Sequence, residues 1–137
     1  MAGSKSNTLE LLMLDAVLGK VAYVAPATVY VALFTTAPTS AGGGVECAGG
    51  SYARAAMTNN LTNWPSATGG GPGSKSNGTA ITFPTASAAW GTVAAFGIFD
   101  AASGGNLLYW GTLTTPRAVA LGDTPSFAAA ALVITET

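Results

Sequence analysis

The densest hydrophobic pattern in the chain lies between Trp90 and Leu113, WGTVAAFGIFDAASGGNLLYWGTL. Two runs rich in Val, Phe, Ile, Leu, Tyr and Trp flank a connection of Asp, Ala, Ser, Gly and Asn from Asp100 to Asn106. Such a pair predicts a β-hairpin. In its first arm, alternate positions put Phe96 and Ile98 on one face and Ala95, Gly97 and Phe99 on the other. Apolar residues in both registers mean that both faces are at least partly covered, as in the middle of a sandwich or barrel.

A different period opens the chain. Leu9, Leu12, Met13, Ala16 and Val17 recur at helical spacing, Asn7 stands where it can cap the first turn with Glu10 three residues on, and Gly19 is a natural stop. The predicted helix covers 7–19, after a small polar arm at 1–6. Leu11, Leu14 and Leu18 line a second face, so the helix is apolar nearly all round and needs cover on more than one side. Its own fold can supply that cover, or one face can lie on the β core while the other docks a neighbouring subunit. Each leucine left bare forfeits about 1.5–3 kcal/mol, which a partner recovers.

Period-2 alternation returns after Pro26: Val29, Val31 and Leu33 alternate with Tyr30, Ala32 and Phe34 until Pro38 ends the strand. Tyr52 to Thr58 reads as a second strand carrying Arg54, with Glu46 and Asp100 as candidate partners, although an arginine is ordinarily solvated. Thr79 to Phe83 and Ala118 to Leu121 read as short strands, Thr114 to Arg117 as a turn, and Ser126 to Thr135 as one or two final strands. Between them, 59–78 is a long loop rich in Asn, Gly, Pro and Ser. It carries Trp64 followed by Pro65, and an aromatic in a polar loop plugs a pocket of its own fold or of a partner. The pentapeptide GSKSN occurs at 3–7 and again at 73–77, before a predicted helix once and a predicted strand the second time, and so marks no duplicated domain.

These elements predict a mainly β, single-domain β-sandwich or jelly-roll-like fold with one N-terminal α-helix, spanning 1–137 with the β-domain from 26 to 137. The apolar stretch from Leu9 to Phe34 is interrupted by Glu10, Asp15, Lys20 and Pro26, which fits neither a membrane span nor a signal peptide.

Charge changes the picture more than length does. Only 8 % of residues are charged, against roughly 25 % in ordinary soluble domains. Hydroxyls and amides dominate the surface, which suits a protein packed in an assembly. Five scattered Lys and Arg residues and a net charge of −1 offer no stripe for nucleic acid. With no histidine and a single cysteine, Cys47, the chain lacks Ser-His-Asp and Cys-His machinery, His-based and multi-cysteine metal sites, and an intrachain disulfide. Asp100 and Asp123 are the remaining candidate carboxylate pair, but each adjoins turn residues and reads as a turn former. The Gly-rich run from Gly69 to Ser76 fails the phosphate-loop pattern because Ser74 separates Gly73 from Lys75. Asn60 and Asn77 match glycosylation acceptor patterns, which matter only in a secretory pathway. The expectation is a protein without enzymatic activity, metal or cofactor.

Several segments together resemble a family of small virion proteins of tailed bacteriophages, often labelled tail fibre proteins. They are the leucine-rich helix, PATVYVALFTTAPT from Pro26 to Thr39, GGSYAR from Gly49 to Arg54, the run from Trp90 to Pro116, and GDTPSFAAAALVIT from Gly122 to Thr135. The resemblance implies a structural role in the virion and no catalytic residues. A fibre shaft needs heptads, a β-helix repeat or collagen-like triplets, and the chain has none of these. The first expectation is therefore a homo-oligomeric capsid decoration or cement protein bound to the major capsid protein on the capsid surface. The alternatives are a tail component that contacts the host, and a carbohydrate-binding module or glycosidase in which Trp64, Tyr109 and Trp110 line a groove. Leu11, Leu14, Leu18, Trp64 and Pro65 are the predicted partner contacts.

Overall fold

Val29, Val31 and Leu33 fall on one side of a strand and Ala32 and Phe34 on the other, so this strand needs neighbours on both faces. In the computed structural model, which describes residues 3–136, it is β2 (Thr28–Thr36), bordered on one edge by β7 (Gly91–Phe99) and on the other by β3 (Val45–Glu46) and β4 (Ala55–Thr58). The hairpin of β7 with β8 (Leu107–Val119) continues the sheet, and β1 (Ser4–Lys5) closes it as its outermost strand. All pairings within this six-stranded sheet are antiparallel. Two ribbons complete the β structure. One pairs β5 (Ser74–Ser76) with β10 (Val133–Thr135), and the other pairs β6 (Ile81–Thr82) with β9 (Ser126–Phe127).

The main core lies between the large sheet and a cover made of these ribbons and the helix α1 (Asn7–Leu18). Val31, Leu33, Phe96 and Ile98 from the sheet meet Leu9, Ile81, Leu132 and Ile134 from the cover. The fold is mainly β with one N-terminal helix, as predicted. Its second layer, however, is assembled from short ribbons and a helix instead of another full sheet.

The opposite face of the sheet carries a smaller cluster of Ala32, Phe34 and Ala95, joined by Phe99 and Ala37. Phe34 and Phe99 stack at 6.2 Å. Gly97 lies between them: a Cβ there would come within 2.9 Å of Phe34, 3.0 Å of Leu107 and 3.1 Å of Phe99, so the close approach of these side chains requires glycine. The two-sided hairpin expected from the sequence is present on both faces.

Other expectations need correction. Residues 1 and 2 of the predicted arm lie outside the described residues, while Gly3 to Ser6 is fixed in the fold through β1, not loose. Ser6, not Asn7, caps α1: its backbone is extended, its Oγ accepts from the N–H of Leu9 at 3.2 Å and donates to the carbonyl of Leu107. Asn7 is already the first helical residue, and its N–H is taken by the carbonyl of Ser40 at 2.7 Å. The turn expected at Thr114 to Arg117 is a bulge within β8. The register passes from Ala95 opposite Thr112 to Val93 opposite Arg117, leaving Leu113 to Pro116 against a single residue of β7. Pro116 is tolerated there because a bulge needs no ladder donor. The short strand expected at Ala118 to Leu121 is absorbed into the end of β8.

Within 59–78, the expected loop holds a turn and a strand. Asn60 Oδ1 accepts from the N–H groups of Thr62 and Asn63, and β5 folds back to pair with β10. The repeated GSKSN segments turn out to be structurally related. Gly3 exchanges hydrogen bonds with Val133 and Thr135 on one edge of β10, and Ser74–Ser76 pairs with its other edge. The last strand is thus held between the two copies.

Candidate functional site

Leu9 of α1 is buried, and Met13 is partly buried beside it, where the helix packs on β8. Of the residues expected on the same inward face, Leu12 is only partly covered and Val17 is largely exposed. The buried stripe is narrower than the periodicity predicted because the helix meets the sheet along a single line. On the far side Leu11, Leu14 and Leu18 are 64 %, 56 % and 82 % exposed. The fold does not cover this second face. Val21 and Val24, in the irregular segment that leads to β2, extend the bare surface. Glu10 and Asp15 flank the leucine stripe, one on each side, and both are exposed.

A cavity of about 360 Å3 opens between α1, the segment before β2, the main sheet and the 59–78 region. Its walls are mostly apolar, with Met13, Tyr23, Ile98 and Leu108 among them; Asn59, Lys75 and Glu136 supply its polar groups. Glu136 pairs with Lys5 at 2.6 Å and accepts from the Tyr109 hydroxyl at 3.2 Å. Burial, reinforced by the Glu136 charge, pushes the Tyr109 hydroxyl well above its ordinary value, so it stays protonated and donates. Among the described residues Lys75 has no ion pair.

Trp64 is 94 % withdrawn from solvent, with a relative exposure of 6 %, and it lines this cavity. It packs into its own fold and is not the exposed partner contact expected; it follows the Asn60 turn, and its backbone N–H closes on the Asn60 carbonyl at 2.9 Å. Its indole N–H is buried with no hydrogen-bond partner among the described residues. Pro65 is exposed next to it and packs against Gly78. Of the aromatic residues proposed for a sugar groove, Trp64 and Tyr109 share the cavity, whereas Trp110 is turned toward Ser40 on another part of the surface.

A polar site lies on the other face of the main sheet, over Phe99. Arg54 is not solvated: its side chain is 7 % exposed and makes a bidentate pair with Glu46, Nε to Oε2 at 2.9 Å and Nη2 to Oε1 at 2.8 Å. Its remaining donors hold the carbonyls of Ala101 and Gly104, both at 2.8 Å, and the guanidinium lies 3.7 Å from the centre of the Phe99 ring. Burial alone would raise the Glu46 carboxyl, but hydrogen bonds from Arg54 and Tyr52 overcome it and bring the group below its usual value. This is a clamp joining the hairpin loop to β3, with every charge satisfied. Cys47, next in the chain, is buried, and its thiol is pushed up to about 11 by that burial and the adjacent Glu46 charge. It is chemically quiet at neutral pH.

Asp100 and Asp123 form no pair. Asp100 accepts from the N–H and the side-chain amide of Asn106, and Asp123 from the N–H of Ala120, each within its own turn. Asn77, one of the glycosylation patterns, is buried and bonds Thr79, Ala128 and Leu132. Among the described residues no helix is long and apolar enough to cross a membrane.

No curated protein matches the chain. The sequence model of the family described as Podophage GP4 fiber I protein gp80 matches residues 4–135, from β1 through β10. With nearly its whole length matched, the chain belongs to that fibre-protein family and is a structural protein of the bacteriophage virion.

Proposed function

We propose that this protein is a component of the tail-fibre assembly, a compact β-domain that joins neighbouring virion proteins through the outer face of α1. The observation that carries the reading is the bare leucine stripe Leu11, Leu14 and Leu18, on a helix that the described residues cover on one side only. Membership of a fibre family supports the tail as its place. The role is structural and not catalytic: the chain has no histidine, and its two candidate carboxylates are engaged in turns.

Capsid decoration is the second reading, favoured by the absence of any shaft repeat and by the sparse surface charge. Gold-labelled antibody imaging of intact virions separates the two. Label at the tail is expected; label spread over the head overturns the fibre reading in favour of decoration.

A further inference from the structure

The bare helix face and the cavity are chemically complementary. The face is apolar and flanked by the carboxylates of Glu10 and Asp15. The cavity is an apolar hollow of about 360 Å3 whose wall carries Glu136, already paired with Lys5, and Lys75, a cation with no ion pair among the described residues. An apolar helix laid in an apolar groove, with acidic groups meeting a basic rim, is a recurrent mode of protein recognition.

We propose that the outer face of α1 in one copy of this chain seats on the cavity of a second copy. The inference rests on the assembly role of α1 proposed above, and commits its occupant to another copy of the same chain. Charge selects this arrangement over the symmetric one. Two helices packed face to face bring acidic flanks together with no base in the helix to offset them, whereas helix on cavity sets one acidic flank, that of Asp15, toward Lys75. The contact is heterologous: each copy offers one helix face and one cavity. Repeated, it closes into a ring or runs on as a filament.

The test uses the full chain at about 100 μM, a concentration that populates contacts of micromolar strength. Sedimentation velocity is expected to show the wild type as an oligomer. Leu14→Asp, at an exposed position, should weaken self-association by at least about thirtyfold, the scale of an interface hot spot. Lys75→Glu should weaken it by about tenfold, and adding Asp15→Lys to Lys75→Glu should restore it. Circular dichroism checks each fold; if Lys75→Glu does not fold, Asp15→Lys alone reads the same charge.

The deciding sample mixes Leu14→Asp, which keeps its cavity, with Lys75→Glu, which keeps its helix face. A heterologous contact gives dimers that stop there. A monomeric wild type, an unaffected Leu14→Asp, or a mixture that stays monomeric overturns the proposal. None of these outcomes moves the gold label on the virion, so the position in the particle is judged separately.

Discussion

The β7–β8 hairpin and α1 are both dense in large apolar residues, yet the fold treats them in opposite ways. On the hairpin, Phe96 and Ile98 are sealed from above by residues of α1, β6 and β10, and Ala95 and Phe99 are sealed from below by Phe34 and the Arg54 clamp. On the helix, Leu9 and Met13 find the core while Leu11, Leu14 and Leu18 find nothing. A chain of 137 residues has limited surface with which to cover itself. Here it goes to the sheet, and the helix is finished only by a neighbour. Apolar density alone therefore does not locate a core; where the cover comes from separates folding from assembly.

That contrast breaks first at Phe96, which is fully buried. Phe96→Ala is expected to cost about 3–5 kcal/mol of folding stability, read by thermal or denaturant unfolding. A loss below about 1 kcal/mol would mean that the hairpin is not the centre of the fold.

Arg54→Ala comes next. It leaves Glu46 half-buried without its partner and frees the carbonyls of Ala101 and Gly104, so about 2–3 kcal/mol should be lost at neutral pH. The pH dependence has a definite sign. The folded-state Glu46 carboxyl titrates below its ordinary value of 4.5, so its contribution is complete above that value and disappears as pH falls through the lower folded value. The gap between wild type and Arg54→Ala should narrow on acidification below pH 4.5, as followed by unfolding midpoints, leaving the part due to the Ala101 and Gly104 carbonyls.

The smallest effect on folding is expected where apolar content looks most conspicuous. Changing Leu11, Leu14 and Leu18 together to Ser should alter monomer stability by no more than about 0.5 kcal/mol per site, because each is already exposed. A loss several times larger would show that the helix face is part of the protein's own core. Set beside Phe96→Ala, the triple change measures directly how different the two regions are.

Much of this was legible in the residues. Alternation placed β2 and the two faces of the hairpin, and helical spacing placed α1 together with its second apolar stripe. What escaped depended on contacts far apart in sequence. Ser6 caps α1 because β8 presents the carbonyl of Leu107 beside it, and no local pattern distinguishes Ser6 from Asn7. Arg54 is withdrawn from water by the hairpin loop, some fifty positions away. Thr114 to Arg117 has turn composition, and a bulge draws on the same residues. The inward placement of Trp64 was open to either reading. The cavity could not be read at all, since a void is a property of packing and leaves no periodicity.

The last strand, flanked by both GSKSN segments, has a mechanical consequence. Gly3 lies parallel to β10 and bonds both Val133 and Thr135. Tension applied between the segment before Gly3 and the segment after Thr135 therefore pulls neighbouring strands along their length in opposite directions. The hydrogen bonds are loaded in shear and must fail together instead of unzipping one by one. Lys5 and Glu136 tie the same junction with an ion pair. Force spectroscopy along this axis should record one abrupt rupture: the domain would transmit a pull as a stiff link.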